Sequence, residues 1–443
     1  MAIDPLEVAF GHFRAGQMDA AVQAYKALLM DDPGNAEAQH MIGVIAFQQG
    51  KNEVARDFMK RATQCTGATP EMFNNLGSVL LSLDEKEEAC AAFEQAIAMK
   101  PDYADALNNL GIVHRNARRI EKAIEYLRRA VEINPNHSHA KANLRAAYRD
   151  VVPSWHFAMM DDRKRNDAYE AAIKRAVPGK RVLDIGTGAG LLTLMSCRAG
   201  AASVTGCEVV SIIAERAGQI VQKNGFSAKA KVLAKPSQQI MIGRDMAERA
   251  QVLVTETFSS GLINEEVLPT LEHAHEFLLT PDAVVIPAVA SIMGYLVGGE
   301  TLKGVLFVDK VSGFDLSPFD DFAPPNMQLS LDRFPHDIYS GDVELMRFNL
   351  KDHNFPMDTK KLTVPVTRTG ECLGVAQWIR LELDATTRYE NRPGPNAPYN
   401  GHWVHLTYRF PKPIQVRAGD SVPLVVRHYR TQITVEHGDY VTL

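Results

Sequence analysis

The spacing of apolar residues changes twice along the chain and divides it into three zones. Residues 1–150 carry small and apolar residues at helical spacing. Residues 151–286 alternate between short apolar runs, typical of buried parallel strands, and longer amphipathic stretches, typical of helices. Residues 287–443 show period-two alternation broken by proline and glycine. The pattern therefore predicts three domains with these boundaries.

The first zone contains an internal repeat. Gly43, Gly77 and Gly111 are separated by steps of 34 residues. Two columns of alanine keep the same step: Ala55, Ala89 and Ala123, and Ala62, Ala96 and Ala130. A repeat of this length with small residues at fixed places is typical of tetratricopeptide repeats, in which two helices cross closely. We predict an all-α solenoid of four repeats, closed by a capping helix at residues 137–150. An ordinary helical bundle would not explain the shared register.

The second zone reads as a doubly wound, Rossmann-like α/β domain. Four short apolar runs are predicted to be parallel strands, and the segments between them to be helices. The runs are RVLDIG, SVTGCE, AKVLA and QVLVTE. In the third zone, IRLELD, VHLTYRF, SVPLVVRHY and QITVE are predicted to be short antiparallel strands. We expect this zone to form an antiparallel sandwich or β-barrel.

Composition narrows the class of protein. Hydrophobic residues make up 46% and charged residues 23%, as in a globular protein. The formal net charge of −5 argues against nucleic acid as the main partner and is compatible with basic partners. Five cysteines without a CxxC pair indicate reduced thiols, with no disulfide framework and no metal site. No secretory signal and no apolar run of about 20 residues is visible, so we expect a cytoplasmic protein without a membrane segment.

A glycine loop follows the first predicted strand of the α/β zone. Gly186, Gly188 and Gly190 stand between that strand and a helix, where backbone turns sharply and approaches a ligand closely. With Asp184 they give the form D-x-G-x-G-x-G, which is similar to that of class I methyltransferases. Glu208 ends the next strand, and its carboxylate can accept both hydroxyls of a ribose. The loop and the two acids predict an S-adenosylmethionine (S-adenosyl-L-methionine) site.

Two further carboxylates indicate the methyl acceptor. Glu256 ends the fourth predicted strand, and Glu265 follows nine residues later. Two carboxylates in one cleft are costly unless a cation lies between them, and a planar guanidinium offers paired N–H groups that fit them. Glu266 is the adjacent alternative to Glu265; the nine-residue spacing favours Glu265.

These motifs resemble the protein arginine methyltransferases over roughly residues 153–443. The Glu256–Glu265 spacing matches the double-glutamate hairpin of the family. The segment 155–173 is similar to its helix before the α/β domain, which implies that Arg165 binds the cofactor carboxylate. GHW at 401–403 is similar to its Thr-His-Trp loop, which implies a catalytic role for His402. Gln238 falls where the family often binds the adenine amine, and residues 278–287 resemble the turn into the barrel.

The sequence also departs from the family. The family's S-E-x-M-G reads TETFS here, and the Thr of Thr-His-Trp is Gly401. Neither change removes a charged group needed for chemistry, so the resemblance implies activity while the type of methylated product stays open.

The resulting hypothesis is a protein arginine N-methyltransferase of the subgroup with N-terminal tetratricopeptide repeats. Its partners would be a protein substrate with an accessible arginine and a protein or peptide bound in the groove of the repeats. Two alternatives remain: a binding scaffold with an inactive methyltransferase-like domain, and a methyltransferase for a small molecule. Family members with one catalytic module are commonly homodimers, and the apolar segment 317–337 is the predicted dimer arm.

Overall fold

The computed structural model describes residues 4–394 and 403–438. Contacts divide the chain into two compact units, Met1–Pro153 and Ser154–Leu443. The predicted boundary between residues 286 and 287 lies inside the second unit. Within the described ranges, no helix combines the length and the apolar character that crossing a bilayer requires.

The first unit consists of antiparallel helix pairs that follow the 34-residue step. A Cβ atom at Gly43, Gly77 or Gly111 would overlap a side chain of the second helix in the same repeat, which explains why glycine recurs there. The alanines of both columns are fully buried. The predicted capping helix is confirmed as α9. The helices are α1 (Pro5–Arg14), α2 (Met18–Asp31), α3 (Ala36–Gln48), α4 (Asn52–Gln64), α5 (Pro70–Ser82), α6 (Lys86–Met99), α7 (Ala104–Asn116), α8 (Ile120–Ile133) and α9 (Ser138–Val151).

The second unit begins with a parallel sheet in the order β3-β2-β1-β4-β5, flanked by helices. Its helices are α10 (Trp155–Met160), α11 (Arg163–Ala176), α12 (Leu191–Arg198), α13 (Ser211–Lys223) and α14 (Val267–His273). Its strands are β1 (Arg181–Ile185), β2 (Ser203–Glu208), β3 (Ala230–Ala234), β4 (Ala250–Thr255) and β5 (Leu279–Ile286). The four predicted strands are confirmed.

The segment 278–287 corrects the sequence interpretation. It is a strand and not a turn, because its apolar residues Val284, Val285 and Ile286 pair in parallel with Val252, Leu253 and Val254 of β4. The carboxyl ends of β1, β2 and β4 meet at one edge of this sheet, which brings the predicted site residues of three strands together.

The rest of the second unit is antiparallel. A seven-stranded sheet has the order β10-β6-β13-β15-β9, with β11 on β6 and β14 on β13, and a second sheet has the order β12-β16-β17. Among the described residues, these sheets do not close into one ring. The elements are β6 (Val289–Gly298), α15 (Glu300–Leu306), β7 (Lys310–Val311), β8 (Phe314–Asp315), β9 (Asn326–Leu329), β10 (Asp337–Ile338), β11 (Val343–Asn349), β12 (Asp358–Pro365), β13 (Gly370–Glu382), β14 (Arg388–Glu390), β15 (His405–Val416), β16 (Ser421–His428) and β17 (Ile433–His437). The predicted sequence of solenoid, Rossmann-like domain and antiparallel domain is confirmed.

The predicted arm at 317–337 divides into two parts. Residues Ser317–Phe322 form a short 3-10 helix, in which Phe319 and Phe322 are exposed. Asn326–Leu329 instead forms β9 and pairs with β15, and Leu331 is buried against the same sheet. The second half therefore folds back on its own domain, because its alternating apolar residues complete a sheet edge.

Candidate active site

The glycine loop turns at the carboxyl end of β1. The φ angles of Gly186 and Gly190 are +76° and +87°, which favour glycine. A Cβ atom on Gly186 would also overlap the methyl group of Thr257. The backbone N–H groups of Gly186 and Thr187 donate to the carbonyl oxygen of Cys207, over 3.1 and 3.0 Å. The loop is thereby fixed between the ends of β1 and β2.

Glu208 ends β2 and faces this loop. Its Oε2 accepts a hydrogen bond from the N–H of Gly188 over 3.1 Å, and its Oε1 accepts one from the N–H of Val210 over 2.9 Å. The side chain is buried. A carboxylate in this position holds the loop and can accept hydroxyl groups of a ligand lying across it.

Asp184 lies beneath the loop and is fully buried. Its Oδ2 accepts a hydrogen bond from the hydroxyl of Thr193 over 2.6 Å. Its Oδ1 has no partner among the described residues. Burial raises the pKa of Asp184 to about 6, against the opposing effect of the Thr193 hydroxyl. Asp184 is therefore placed to support the loop from the core.

Arg165 extends from the first turn of α11 to the end of β4. Asp162 caps this helix by accepting the backbone N–H of Arg165 over 3.0 Å. The Arg165 guanidinium donates to Oε2 of Glu256 over 2.6 Å and lies over the ring of Tyr169. Sequence reasoning assigned Arg165 and Glu256 to different ligands, whereas the structure joins them in one buried ion pair.

Glu256 is the buried carboxylate at the centre of the site. Burial raises its pKa to about 7; the Arg165 guanidinium opposes this effect and the charge of Glu265 adds to it. The charge of Glu265 thus acts on the Glu256 carboxyl, while the role of the two carboxylates as a pair stays a prediction.

Glu265 and Glu266 differ in their surroundings. Partial burial raises the pKa of the Glu265 carboxyl and the charge of Glu208 adds to this effect, while the residue as a whole remains exposed to solvent. Glu266 caps α14 with a left-handed φ of +56°. The choice of Glu265 over Glu266 as the second carboxylate of the site stays a prediction.

Gln238 lies on a 3-10 turn after β3 and is exposed. Its amide Nε2 donates to the hydroxyl of Thr270 on α14 over 3.1 Å. His402 lies outside the described residues, as does Gly401.

Two aromatic residues near the site were missed by sequence reasoning as functional residues. The hydroxyl of Tyr389 donates to Oδ2 of Asp162 over 2.7 Å, and its ring packs on Trp403. The indole N–H of Trp403 donates to the carbonyl oxygen of Phe258 over 2.7 Å. Together they tie the antiparallel domain to α11 and to the loop after β4. The only sequence signal was the Trp of GHW.

Comparison with known proteins finds matches to both the repeats and the α/β domain. The tetratricopeptide repeat family matches residues 11–70 and 74–138, and the family described as ribosomal protein L11 methyltransferase matches residues 167–268. An arginine N(omega)-methyltransferase of Streptomyces achromogenes subsp. streptozoticus is 35% identical over 279 residues, which cover 62% of this chain and 76% of that protein. The chain belongs to the protein arginine methyltransferase family.

Other members of the arginine methyltransferase family match in the same way. Protein arginine N-methyltransferase 7 of Danio rerio is 31% identical over 310 residues, which cover 63% of this chain and 45% of that protein. This chain thus spans less than half of that relative. In fold, it is similar to a PRMT1 enzyme–prozyme heterotetrameric complex of Trypanosoma brucei with AdoHcy, at a TM-score of 0.55, 21% identity and coverage of 63% of this chain and 89% of that one.

Proposed function

We propose that this protein transfers a methyl group from S-adenosylmethionine to a guanidinium nitrogen of arginine. One observation carries the proposal: the buried carboxylate of Glu256 already binds a guanidinium, that of Arg165, over 2.6 Å. The charge of Glu265 acts on Glu256, which supports Glu265 as the second carboxylate for the acceptor. The pocket therefore has the charge and the hydrogen-bond acceptors that an arginine side chain needs.

The residues at the sheet edge fit S-adenosylmethionine. The glycine loop leaves room for a ligand against the backbone, and Glu208 offers a carboxylate to the ribose hydroxyls. The Nε of Arg165 is buried without a partner among the described residues, which leaves a donor for the cofactor carboxylate. When bound, the cofactor supplies an electrophilic methyl group on a sulfonium.

The protein's own groups would orient and polarise the acceptor. Arginine has a pKa of about 12.5 or higher, so free deprotonation is negligible near neutral pH. Glu256 and Glu265 would hold the guanidinium in one plane and concentrate electron density on the attacking nitrogen. One of them takes the released proton, which a carboxylate with a raised pKa does readily.

Replacement of Glu208 by alanine is expected to weaken cofactor binding by about 1–3 kcal/mol, because the ribose loses a charged acceptor. Glu208→Gln keeps the shape of the side chain and one acceptor oxygen. Its cofactor affinity should therefore lie between those of the unchanged protein and Glu208→Ala. Isothermal titration calorimetry with S-adenosylmethionine measures both variants. Equal affinity for Glu208→Ala and the unchanged protein would remove Glu208 from the site.

Activity is expected to depend on pH through Glu256. This carboxyl must be ionised to hold a cation, and burial raises its pKa to about 7. The kcat/KM for the arginine acceptor should therefore rise with pH and level off above about pH 7, since this parameter reports the free enzyme. A profile that stays flat between about pH 5.5 and 8 would show that Glu256 does not limit binding of the acceptor.

The acceptor is proposed to be an arginine residue in a protein. The Danio rerio relative is named as a protein arginine methyltransferase. The name of the Streptomyces relative mentions arginine but not protein. Free arginine is therefore the second candidate acceptor. Incubation of the full chain with labelled S-adenosylmethionine and either an arginine peptide or free L-arginine, followed by mass spectrometry, separates the two. Transfer to neither would reject the proposed activity.

We also propose that the protein forms a homodimer through the first part of the predicted arm 317–337 together with the β7–β8 hairpin that precedes it. Five large apolar side chains are exposed between β7 and the end of the 3-10 helix: Val311, Phe314, Leu316, Phe319 and Phe322. Surface of this kind usually meets a partner. Light scattering is expected to give the mass of two chains, and Phe319→Ser with Phe322→Ser the mass of one. A fully active single chain at micromolar concentration would contradict an obligate dimer.

A further inference from the structure

The loop between β4 and α14 carries Glu256 at its start and Glu265 near its end. Between them the chain reverses in a tight turn, in which the N–H of Leu262 donates to the carbonyl oxygen of Ser259 over 2.9 Å. Leu262 is fully buried and has a left-handed φ of +66°, a strained conformation for a leucine. Strain of this kind persists only where the surrounding structure holds it. Contacts from outside the loop therefore fix its shape.

One such contact comes from β13 of the antiparallel domain. The side-chain amide of Gln377 donates through Nε2 to the carbonyl oxygen of Ser260 over 2.9 Å, across 117 positions of the chain. The hydrogen bond that closes the turn uses the carbonyl oxygen of Ser259 instead. The indole of Trp403 bonds the carbonyl oxygen of Phe258, two residues earlier in the loop. The antiparallel domain thus holds this loop at two of its carbonyl groups.

Gln377 is an unusual residue for its place in the fold. It is fully buried, and the residues beside it on the same face of β13, Val375 and Ile379, belong to the hydrophobic core that includes the α/β domain. A carbonyl oxygen is bonded by the NH₂ group of the amide, so Oε1 is left over, buried and without a partner among the described residues. An unpartnered buried acceptor is destabilising. Packing therefore does not account for this glutamine, whereas its bond to Ser260 does.

We propose that Gln377 is a positioning residue, which fixes the loop after β4 and thereby the place of Glu265 relative to Glu256. Glu256 follows directly on β4, so the parallel sheet holds it, whereas Glu265 lies nine residues further along the loop. Gln377 acts through this loop and not on the acceptor itself. The inference rests on the proposed function only in the role given to Glu265; the holding of the loop does not depend on that role.

Gln377→Met tests the contact, because methionine has a similar length and no amide. Loss of the unpartnered Oε1 offsets loss of the bond to Ser260, so the melting temperature should stay within about 3 °C of the unchanged protein. The kcat for an arginine acceptor should fall about tenfold, because a catalytic group displaced by about an ångström slows the transfer. The KM of the acceptor should change less than about threefold, since Glu256 still binds the guanidinium.

Thr407→Val is the matched control. Thr407 lies on the neighbouring strand β15, is fully buried, and its hydroxyl also has no partner among the described residues. It stands opposite Ala376, so its side chain lies on the other face of the sheet from that of Gln377. The change likewise removes a buried polar group, but one that does not reach the loop. It should leave kcat within about twofold of the unchanged protein.

Two further measurements separate positioning from packing. Amide hydrogen exchange in residues 257–264, followed by mass spectrometry, should be about tenfold faster in Gln377→Met and unchanged in Thr407→Val. In the Glu265→Gln variant, the additional change Gln377→Met should lower kcat by less than about twofold, because the group that Gln377 positions is already lost.

Unchanged exchange in Gln377→Met, an equal loss of kcat in Thr407→Val, or effects of the Gln377 and Glu265 variants that simply multiply would each overturn the inference. A melting temperature lowered by more than about 10 °C would also overturn it, since Gln377 would then be a packing residue. Faster exchange in a protein that methylates no arginine acceptor would reject the proposed function alone. Methyl transfer that Gln377→Met leaves unaffected would keep the proposed function and reject this inference.

Discussion

Glu256→Gln is expected to lower kcat for an arginine acceptor by about 100- to 1000-fold, because the site loses the charge that stabilises the guanidinium as it reacts. Glutamine keeps the shape of the side chain and one acceptor oxygen, so packing at the end of β4 is preserved. A radiolabel transfer assay under saturating cofactor and acceptor measures the loss.

The same change is expected to lower the melting temperature in the absence of cofactor. Arg165 would then lie buried beside a neutral partner, and a buried charge without its counterion is destabilising. The double variant Arg165→Gln, Glu256→Gln removes both charges and should recover part of the stability but none of the activity. Full turnover by the single Glu256→Gln variant would show that this carboxylate does not act on the acceptor.

The repeats and the strand ends were predictable because each depends on local spacing. Gly77 and Gly111 recur wherever two helices cross too closely for a Cβ atom, so their spacing is visible in the chain itself. Glu208 and Glu256 follow apolar runs that can only be buried strands. In a parallel sheet such ends meet at one edge, so the sequence alone predicts that both carboxylates lie there.

The pairing of Arg165 with Glu256 was not predictable from spacing. The two residues are 91 positions apart, and an arginine can reach several carboxylates at the same sheet edge. Which carboxylate Arg165 binds depends on the direction of α11. Asp162 caps this helix, and Tyr389 of the antiparallel domain donates a hydrogen bond to Asp162. Segment 278–287 was misinterpreted for a related reason: the resemblance implied a turn there, while β4, distant in sequence, supplies a partner for its apolar end.

The ion pair also bears on how the site would be used. The guanidinium of Arg165 partly compensates the negative charge of the buried Glu256 carboxylate. Burial alone favours the protonated form of Glu256. If the carboxylate of the cofactor bound Arg165, Glu256 would be more available to bind the arginine of the substrate. The two ligands would thus be coupled through residues of this chain.

Glu265→Gln is expected to lower kcat/KM for the arginine acceptor by about 100-fold, while cofactor affinity stays within about twofold. The charge of Glu265 raises the pKa of Glu256. If the two carboxylates hold the guanidinium together as proposed, removal of either leaves it held from one side.

The adjacent Glu266→Gln is the matched control, since it removes the same charge one residue away. Glu266 is exposed, has left-handed backbone and caps α14, so its replacement should change kcat/KM by less than about threefold. Glu266→Gly should even stabilise the fold slightly, because glycine adopts this φ without strain. Loss of methyl transfer in Glu266→Gln together with an active Glu265→Gln would reverse the assignment, and the acceptor would then be held by the residue just before α14.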